Sequence, residues 1–200
     1  TLGTGLLDPW AIGATALVPA PGTDPAHLPL LAKRHDASIL AGSPGIFRKL
    51  LNNPLPALPK LRHALSAGEA LPPSLRARWQ GATGTDIHEA LGMSEISTFL
   101  SGSPSRPAPD GTTGFPQDGR RIKVNDGHLA VHETDPGLML GYINGVSIDL
   151  PLTDGWFQTS DRVQQHPDGA YSYLGREDDM LTAGGFRISP LEIEQVFEAH

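Results

Sequence analysis

The chain has no cysteine among its 200 residues. Disulfides, thiolate nucleophiles and cysteine-ligated zinc are therefore excluded, while the compartment stays open. Long apolar runs are missing too. None approaches the roughly 20 residues that cross a bilayer, and Thr1 does not open a signal-peptide pattern. Basic charge is scarce: 15 Lys and Arg stand against 22 Asp and Glu, a formal net charge of −7. With no local Lys/Arg cluster to offset it, that balance argues against a nucleic-acid-binding face. No Gly-x-Ser-x-Gly elbow occurs, so a serine hydrolase has no footing. Internal repeats are absent as well.

Apolar residues make up 38% and charged residues 18%, which suits a packed domain and neither disorder nor a coiled coil. The 23 Gly and 19 Pro point to short elements joined by many loops. Two hundred residues suffice for one domain or for parts of two. A start at Thr, directly into an apolar segment, leads us to expect an excised fragment of a soluble, cytoplasmic protein.

The first hundred residues alternate two periods. Residues 14–18, 38–41, 62–65 and 86–91 are short apolar runs of strand type. Residues 25–36, 46–51 and 72–80 carry apolar side chains at helical spacing, the last with two prolines in its first turn. This alternation predicts an α/β unit with a mostly parallel sheet. Past the Ser/Pro/Gly stretch at 101–111 the pattern changes. Residues 121–124 and His128–His132 flank Asn125-Asp126-Gly127, a strong hairpin signal. A His166-Pro167-Asp168-Gly169 turn leads into a strand at 171–174. A small antiparallel sheet or barrel is predicted here. Ser189, Pro190 and Glu192 then form a capping box that opens a helix.

Several clusters can carry chemistry. Ser66-Ala67-Gly68-Glu69 joins a strand to a helix, the place where open α/β sheets hold ligands, although alone it reads as an ordinary turn. Leu91-Gly92-Met93-Ser94-Glu95 offers a hydroxyl and a carboxylate side by side; alone it reads as a helix cap. Gly155-Trp156-Phe157-Gln158-Thr159-Ser160-Asp161 ends on a carboxylate able to accept two hydrogen bonds from a diol. Gly175-Arg176-Glu177-Asp178-Asp179 and Ala183-Gly184-Gly185-Phe186-Arg187 follow within one short span. The histidines have a plainer reading. His128 and His132 are too far apart on one strand to chelate, and His88-Glu89 has no third ligand.

Residues 154–194 resemble closely the end of the large domain and the hinge of the AMP-forming acyl-CoA synthetases, the adenylate-forming superfamily; the first hundred residues match more loosely. The resemblance implies a fold of α/β type followed by a small antiparallel β-barrel subdomain. Its segments are 1–104, 105–177, and a truncated start of the C-terminal domain at 178–200. It also implies an acid–thiol ligase that uses ATP, Mg²⁺ and coenzyme A on a small-molecule carboxylate. Gly68 and Glu69 would line the adenine pocket, with Leu91 where the family usually stacks an aromatic. Ser94 would orient a phosphate oxygen, and Glu95 would hold Mg²⁺. Gly92 stands where acetate-specific members carry an indole, so the acyl pocket should admit something larger than acetate. Asp161 would take the ribose hydroxyls and Arg176 the ribose or phosphate. Asp178 would be the hinge. Gly184, Gly185 and Arg187 would line the pantetheine tunnel. The Thr112-Thr113-Gly114-Phe115-Pro116 string imitates the family's phosphate loop, but Gln117 stands where that loop needs Lys, and it lies on the wrong side of the Ser-Glu motif. Neither the phosphate loop nor the catalytic lysine falls within the 200 residues, so in isolation they are expected not to adenylate. Two alternatives remain: an adenylation domain that loads a carrier protein, and a non-catalytic nucleotide-binding homologue.

Overall fold

The computed structural model describes residues 3–179, 181–183, 186–188 and 190–198. Two compact units divide the chain, Thr1–Ala90 and Leu91–His200.

The first unit holds α1 (Asp8–Ala11), α2 (Leu28–Arg34), β1 (Ile39–Gly42), α3 (Pro44–Leu50), β2 (His63–Ala67), α4 (Pro73–Thr83) and the start of β3 (Ile87–Met93). β1 and β2 run parallel in the register Ile39↔His63, and β2 and β3 do so with Ala64↔Ile87. A helix fills each crossover, as parallel pairing requires. Local chemistry sets the helix ends. Pro44 and Pro73 open α3 and α4, where a missing N–H costs nothing. Gly84 closes α4 in the left-handed region at φ +70°, donating its N–H to the Gln80 carbonyl at 2.8 Å. The core lies between sheet and helices: Phe47, Leu50, Ala64, Leu75, Trp79 and Ile87 are all buried. Phe47 and Trp79 meet edge-on with ring centroids 5.0 Å apart.

Two expectations here need correction. Residues 14–18 form no strand; Leu17 is 46% and Val18 71% exposed. An apolar run becomes a strand only when a neighbour takes its backbone groups, and among the described residues none pairs with it. The helix expected over 25–36 is split. A 3₁₀ turn at Pro25–His27, capped by the Asp24 side chain, precedes α2, and Asp36 at φ +49° ends it.

The second unit holds β4 (Ser97–Ser101), β5 (Phe115–Pro116), β6 (Ile122–Asn125), β7 (His128–His132), β8 (Tyr142–Asn144), β9 (Ser147–Asp149), β10 (Trp156–Gln165), β11 (Tyr171–Arg176), β12 (Leu181–Ala183), β13 (Phe186–Ile188) and α5 (Pro190–Glu198). Its main sheet is antiparallel in the order β11-β10-β7-β6. The β6–β7 hairpin turns on Asp126 (φ +49°) and Gly127 (φ +78°), the pair of positive φ values that matches strand twist. Ile96, Phe99, Leu129, Val131, Phe157 and Tyr171 form its core. The predicted barrel is in fact an open sheet among the described residues, because four strands are too few to close on themselves. The imitation phosphate loop is tied into this unit. Thr113 is buried and donates its N–H to the Tyr171 carbonyl at 2.8 Å, while Phe115-Pro116 pairs with β4. Among the described residues no helix is long and apolar enough to cross a membrane. Ser189, the expected cap of α5, lies outside the described residues.

Candidate functional site

β10 is bent where chemistry concentrates. Its pairing shifts between Gln158 and Arg162 against β7, and between Arg162 and Val163 against β11. Such irregularities re-aim side chains, and Asp161 sits within the first and beside the second, opposite Arg176 of β11. Asp161 is 5% exposed. Its own N–H donates to Thr159 Oγ1 at 3.2 Å, and that hydroxyl donates to the Leu129 carbonyl at 2.9 Å, which fixes the local backbone. Burial pushes the Asp161 carboxyl above its usual range; Arg176 pulls it down, while Asp178 and Glu95 push it further up. A buried acid that senses all three charges marks them as one cluster.

Arg176 is the cation of that cluster. It donates Nη2 to Ser160 Oγ at 2.8 Å, and reaches Asp178 through Nε at 3.2 Å and Nη2 at 3.3 Å. This hydrogen bonding holds the exposed Asp178 carboxyl below its usual value. Tyr173 points into the same field: burial first, then the Asp161 charge, pushes its phenol up to about 12.

The Ser94-Glu95 turn forms another edge. Ile96 is fully buried and its N–H donates to the Met93 carbonyl at 3.3 Å. That pins the turn between β3 and β4, leaving Ser94 exposed and Glu95 half-buried. Tyr142 donates its hydroxyl to Glu95 Oε1 at 3.1 Å. Gly92 is accounted for by packing. A Cβ there would stand 2.5 Å from the Ser97 carbonyl oxygen, so the backbone admits only glycine. Leu91 packs against the core of the second unit.

The chemistry available is clear from the donor set. A buried carboxylate beside a guanidinium and a neutral phenol can hold a diol next to an anionic oxygen. Among the described residues no group of three or more His, Cys, Asp or Glu could hold a metal. A cation held by Glu95 would therefore complete its shell largely with ligand oxygens, the habit of Mg²⁺. Glu95 fits that use, since its hydrogen bond occupies one carboxylate oxygen. The histidines do other things. His132 Nδ1 lies 2.7 Å from Thr134 Oγ1, His128 lies 3.4 Å from Glu177, and His63 and His88 stack edge-on at 5.6 Å.

In the first unit, Gly68 (φ +100°) and the exposed Glu69 form the turn from β2 toward α4. Two residues whose burial was not foreseen from the sequence lie next to it. Ser66 and Glu89 are partners in the β2–β3 register. Ser66 is fully buried, and among the described residues its Oγ has no hydrogen-bond partner. Glu89 accepts the Leu71 N–H at 3.4 Å and lies 3.6 Å from Arg76. Burial outweighs both contacts and pushes its carboxyl up to about 7. A carboxylate inside a parallel strand was the available signal. Tyr142 and Tyr173 gave no such signal, because a lone tyrosine in a strand is unremarkable. Gly184 and Gly185 lie outside the described residues; Arg187 stands opposite Thr182 in the β12–β13 register.

Parallel pairing of β1, β2 and β3 is thus followed in sequence by an antiparallel sheet that sets Asp161 opposite Arg176. The family model for AMP-binding enzymes matches residues 2–143, and the chain belongs to that family. It is 32% identical to the benzoate–CoA ligase of Thauera aromatica, over 100% of this chain and 40% of that protein. Against the 4-hydroxybenzoate–CoA/benzoate–CoA ligase of Rhodopseudomonas palustris it is 33% identical, with the same coverage. Among solved structures, a benzoate CoA ligase from Burkholderia xenovorans superposes with a TM-score of 0.84 at 30% identity, covering 100% of this chain and 42% of that one. An anthranilate CoA ligase in complex with anthranoyl-AMP gives a TM-score of 0.83 at 29% identity, covering 99% and 41%. The chain thus spans about 40% of the length of the curated relatives it matches.

Proposed function

We propose that these residues are part of an AMP-forming carboxylate–CoA ligase that acts on an aryl carboxylic acid. The observation that carries the reading is the buried Asp161 set against Arg176, within the electrostatic reach of Glu95. The benzoate and anthranilate ligases among its relatives support the aryl class. In the first half-reaction a substrate carboxylate oxygen attacks the α-phosphorus of ATP; the bond to the bridging oxygen breaks and pyrophosphate leaves. In the second, the sulfur of CoA attacks the acyl carbon, its proton passes to solvent, and AMP departs with the bonding pair.

The chain's residues position these groups. Asp161 accepts both ribose hydroxyls, and Arg176 donates to the ribose or a phosphate oxygen. Ser94 orients a phosphate oxygen. Gly68, Glu69 and Leu91 line the adenine. Gly184, Gly185 and Arg187 border the pantetheine arm, and Asp178 is the pivot between the half-reactions. Glu95 would hold Mg²⁺, which when bound neutralises phosphate charge as pyrophosphate leaves. Gly92 leaves the acyl side unfilled. The segments 1–104, 105–177 and 178–200 are the corresponding subdomains, in a cytoplasmic protein. Pyrophosphate exchange by the intact protein, followed with benzoate, anthranilate and acetate and then with CoA or a carrier protein as acceptor, tests this. Exchange that depends on the aryl acids, with thioester formed on CoA, is expected. Exchange with none of the acids, or thioester formed only on a carrier protein, refutes it.

A further inference from the structure

Glu95 is held from a distance in sequence. The segment after β7 is clamped first. Asp135, 4% exposed, accepts from Arg120 Nη1 at 3.0 Å, from the Arg121 N–H at 2.7 Å and from the Gly137 N–H at 2.8 Å. Four residues on, the Met139 N–H donates to the Glu95 carbonyl at 2.7 Å. Gly141 then turns at φ +141°, where a Cβ would lie 2.7 Å from the Asp149 carbonyl oxygen. Only glycine makes that turn, and it delivers the Tyr142 hydroxyl to Glu95 Oε1 at 3.1 Å. The phenol ring stands 6.5 Å from that of the buried Phe157. One segment therefore grips Glu95 twice, by its backbone carbonyl and by one carboxylate oxygen.

We infer that Tyr142 is a positioning residue, which orients the Glu95 carboxylate so that its second oxygen is presented to a divalent cation. The inference rests on the proposed role of Glu95. A half-buried glutamate left alone exchanges among rotamers, and ordering it on ligand binding costs entropy. A hydroxyl that donates to one oxygen removes much of that freedom beforehand. It also leaves Oε2, on which no hydrogen bond from the described residues falls, for the cation. Mg²⁺ tolerates little departure from octahedral geometry, so the orientation of a carboxylate that holds it matters. The tyrosine touches neither nucleotide nor metal in this role.

The test uses the intact protein, α,β-methylene-ATP as ligand, and calorimetric titration in Mn²⁺ and separately in EDTA. Tyr142→Phe keeps the ring and removes the hydroxyl. It is expected to weaken binding about three- to tenfold in Mn²⁺, the range for a lost hydrogen bond to a partly exposed charged group. In EDTA, binding should stay within about twofold of the parent. Glu95→Gln should lose at least as much in Mn²⁺, and adding Tyr142→Phe to it should cost nothing more. Equal binding by Tyr142→Phe and the parent in Mn²⁺ overturns the inference. Equal weakening in both media also overturns it, because the residue then serves the fold or the nucleotide and not the cation. If Glu95→Gln itself shows no metal-dependent loss, the proposed role of Glu95 falls and takes this one with it.

Discussion

Replacing Glu89 by Gln should flatten a pH dependence that the wild-type fold carries. The side chain is 14% exposed, and the cation that pairs with it, Arg76, lies 3.6 Å away with 35% of its own side chain in water. Arg76 is also committed to the Ile87 carbonyl at 2.9 Å. That pairing is too weak to offset burial, so the carboxyl rises from 4.5 to about 7. Between those values the folded chain keeps a proton that the unfolded chain has released. The associated stability is complete below pH 4.5, falls as the pH rises through the window, and is gone above about pH 7. Each pH unit of the window is worth about 1.4 kcal/mol, so the whole of it carries about 3 kcal/mol. Gln is neutral throughout and nearly the same shape. Urea denaturation of both proteins at pH 5, 6, 7 and 8 measures the difference directly. Between pH 5 and pH 8 the Glu89→Gln protein should gain on the parent by about 2.5 kcal/mol, about 1–2 M in midpoint for a typical urea slope. A difference that stays constant within about 0.5 kcal/mol across that range would refute the claim that burial dominates Arg76 here.

Gly92→Ala drives a methyl group against the Ser97 carbonyl and should cost about 2 kcal/mol, read as a lower melting temperature; an unchanged melting temperature would return Gly92 to a purely acyl-pocket role. In the intact enzyme, Glu95→Ala should depress pyrophosphate exchange by about 100-fold or more. Asp178→Pro should leave exchange within a few-fold of wild type and block thioester formation, since a fixed φ stiffens the proposed pivot. If both substitutions strike the same half-reaction, the two roles have been wrongly divided.

Much of this was local and therefore legible. The Asp126-Gly127 hairpin, the proline start of α4, and the His166–Gly169 turn depend on φ preferences within a few residues. The change from alternating helix and strand to antiparallel strands was visible as a change of period. Residues 14–18 misled, because an apolar run states only that it can be buried and not that a partner exists. β4 carried no comparable signal, since Ser97–Ser101 is half polar; the β8–β9 hairpin did carry one, the Asn144-Gly145 pair, which the expectations above passed over.

The sequence by itself determined the family and the residue types that the site requires, since Glu95, Asp161, Arg176 and Asp178 each sit in a recognisable local string. Tertiary structure decided their state. Asp161 is buried because β10 pairs with both β7 and β11 and shifts register beside it. Glu89 holds its proton to about pH 7 because α4 and its preceding loop cover the end of β3. Tyr142 meets Glu95 because Gly141 turns a chain segment that lies 47 residues further along. Charge and hydrogen-bond capacity are properties of a residue, whereas burial, pairing and the resulting proton affinity belong to whatever the fold places around it.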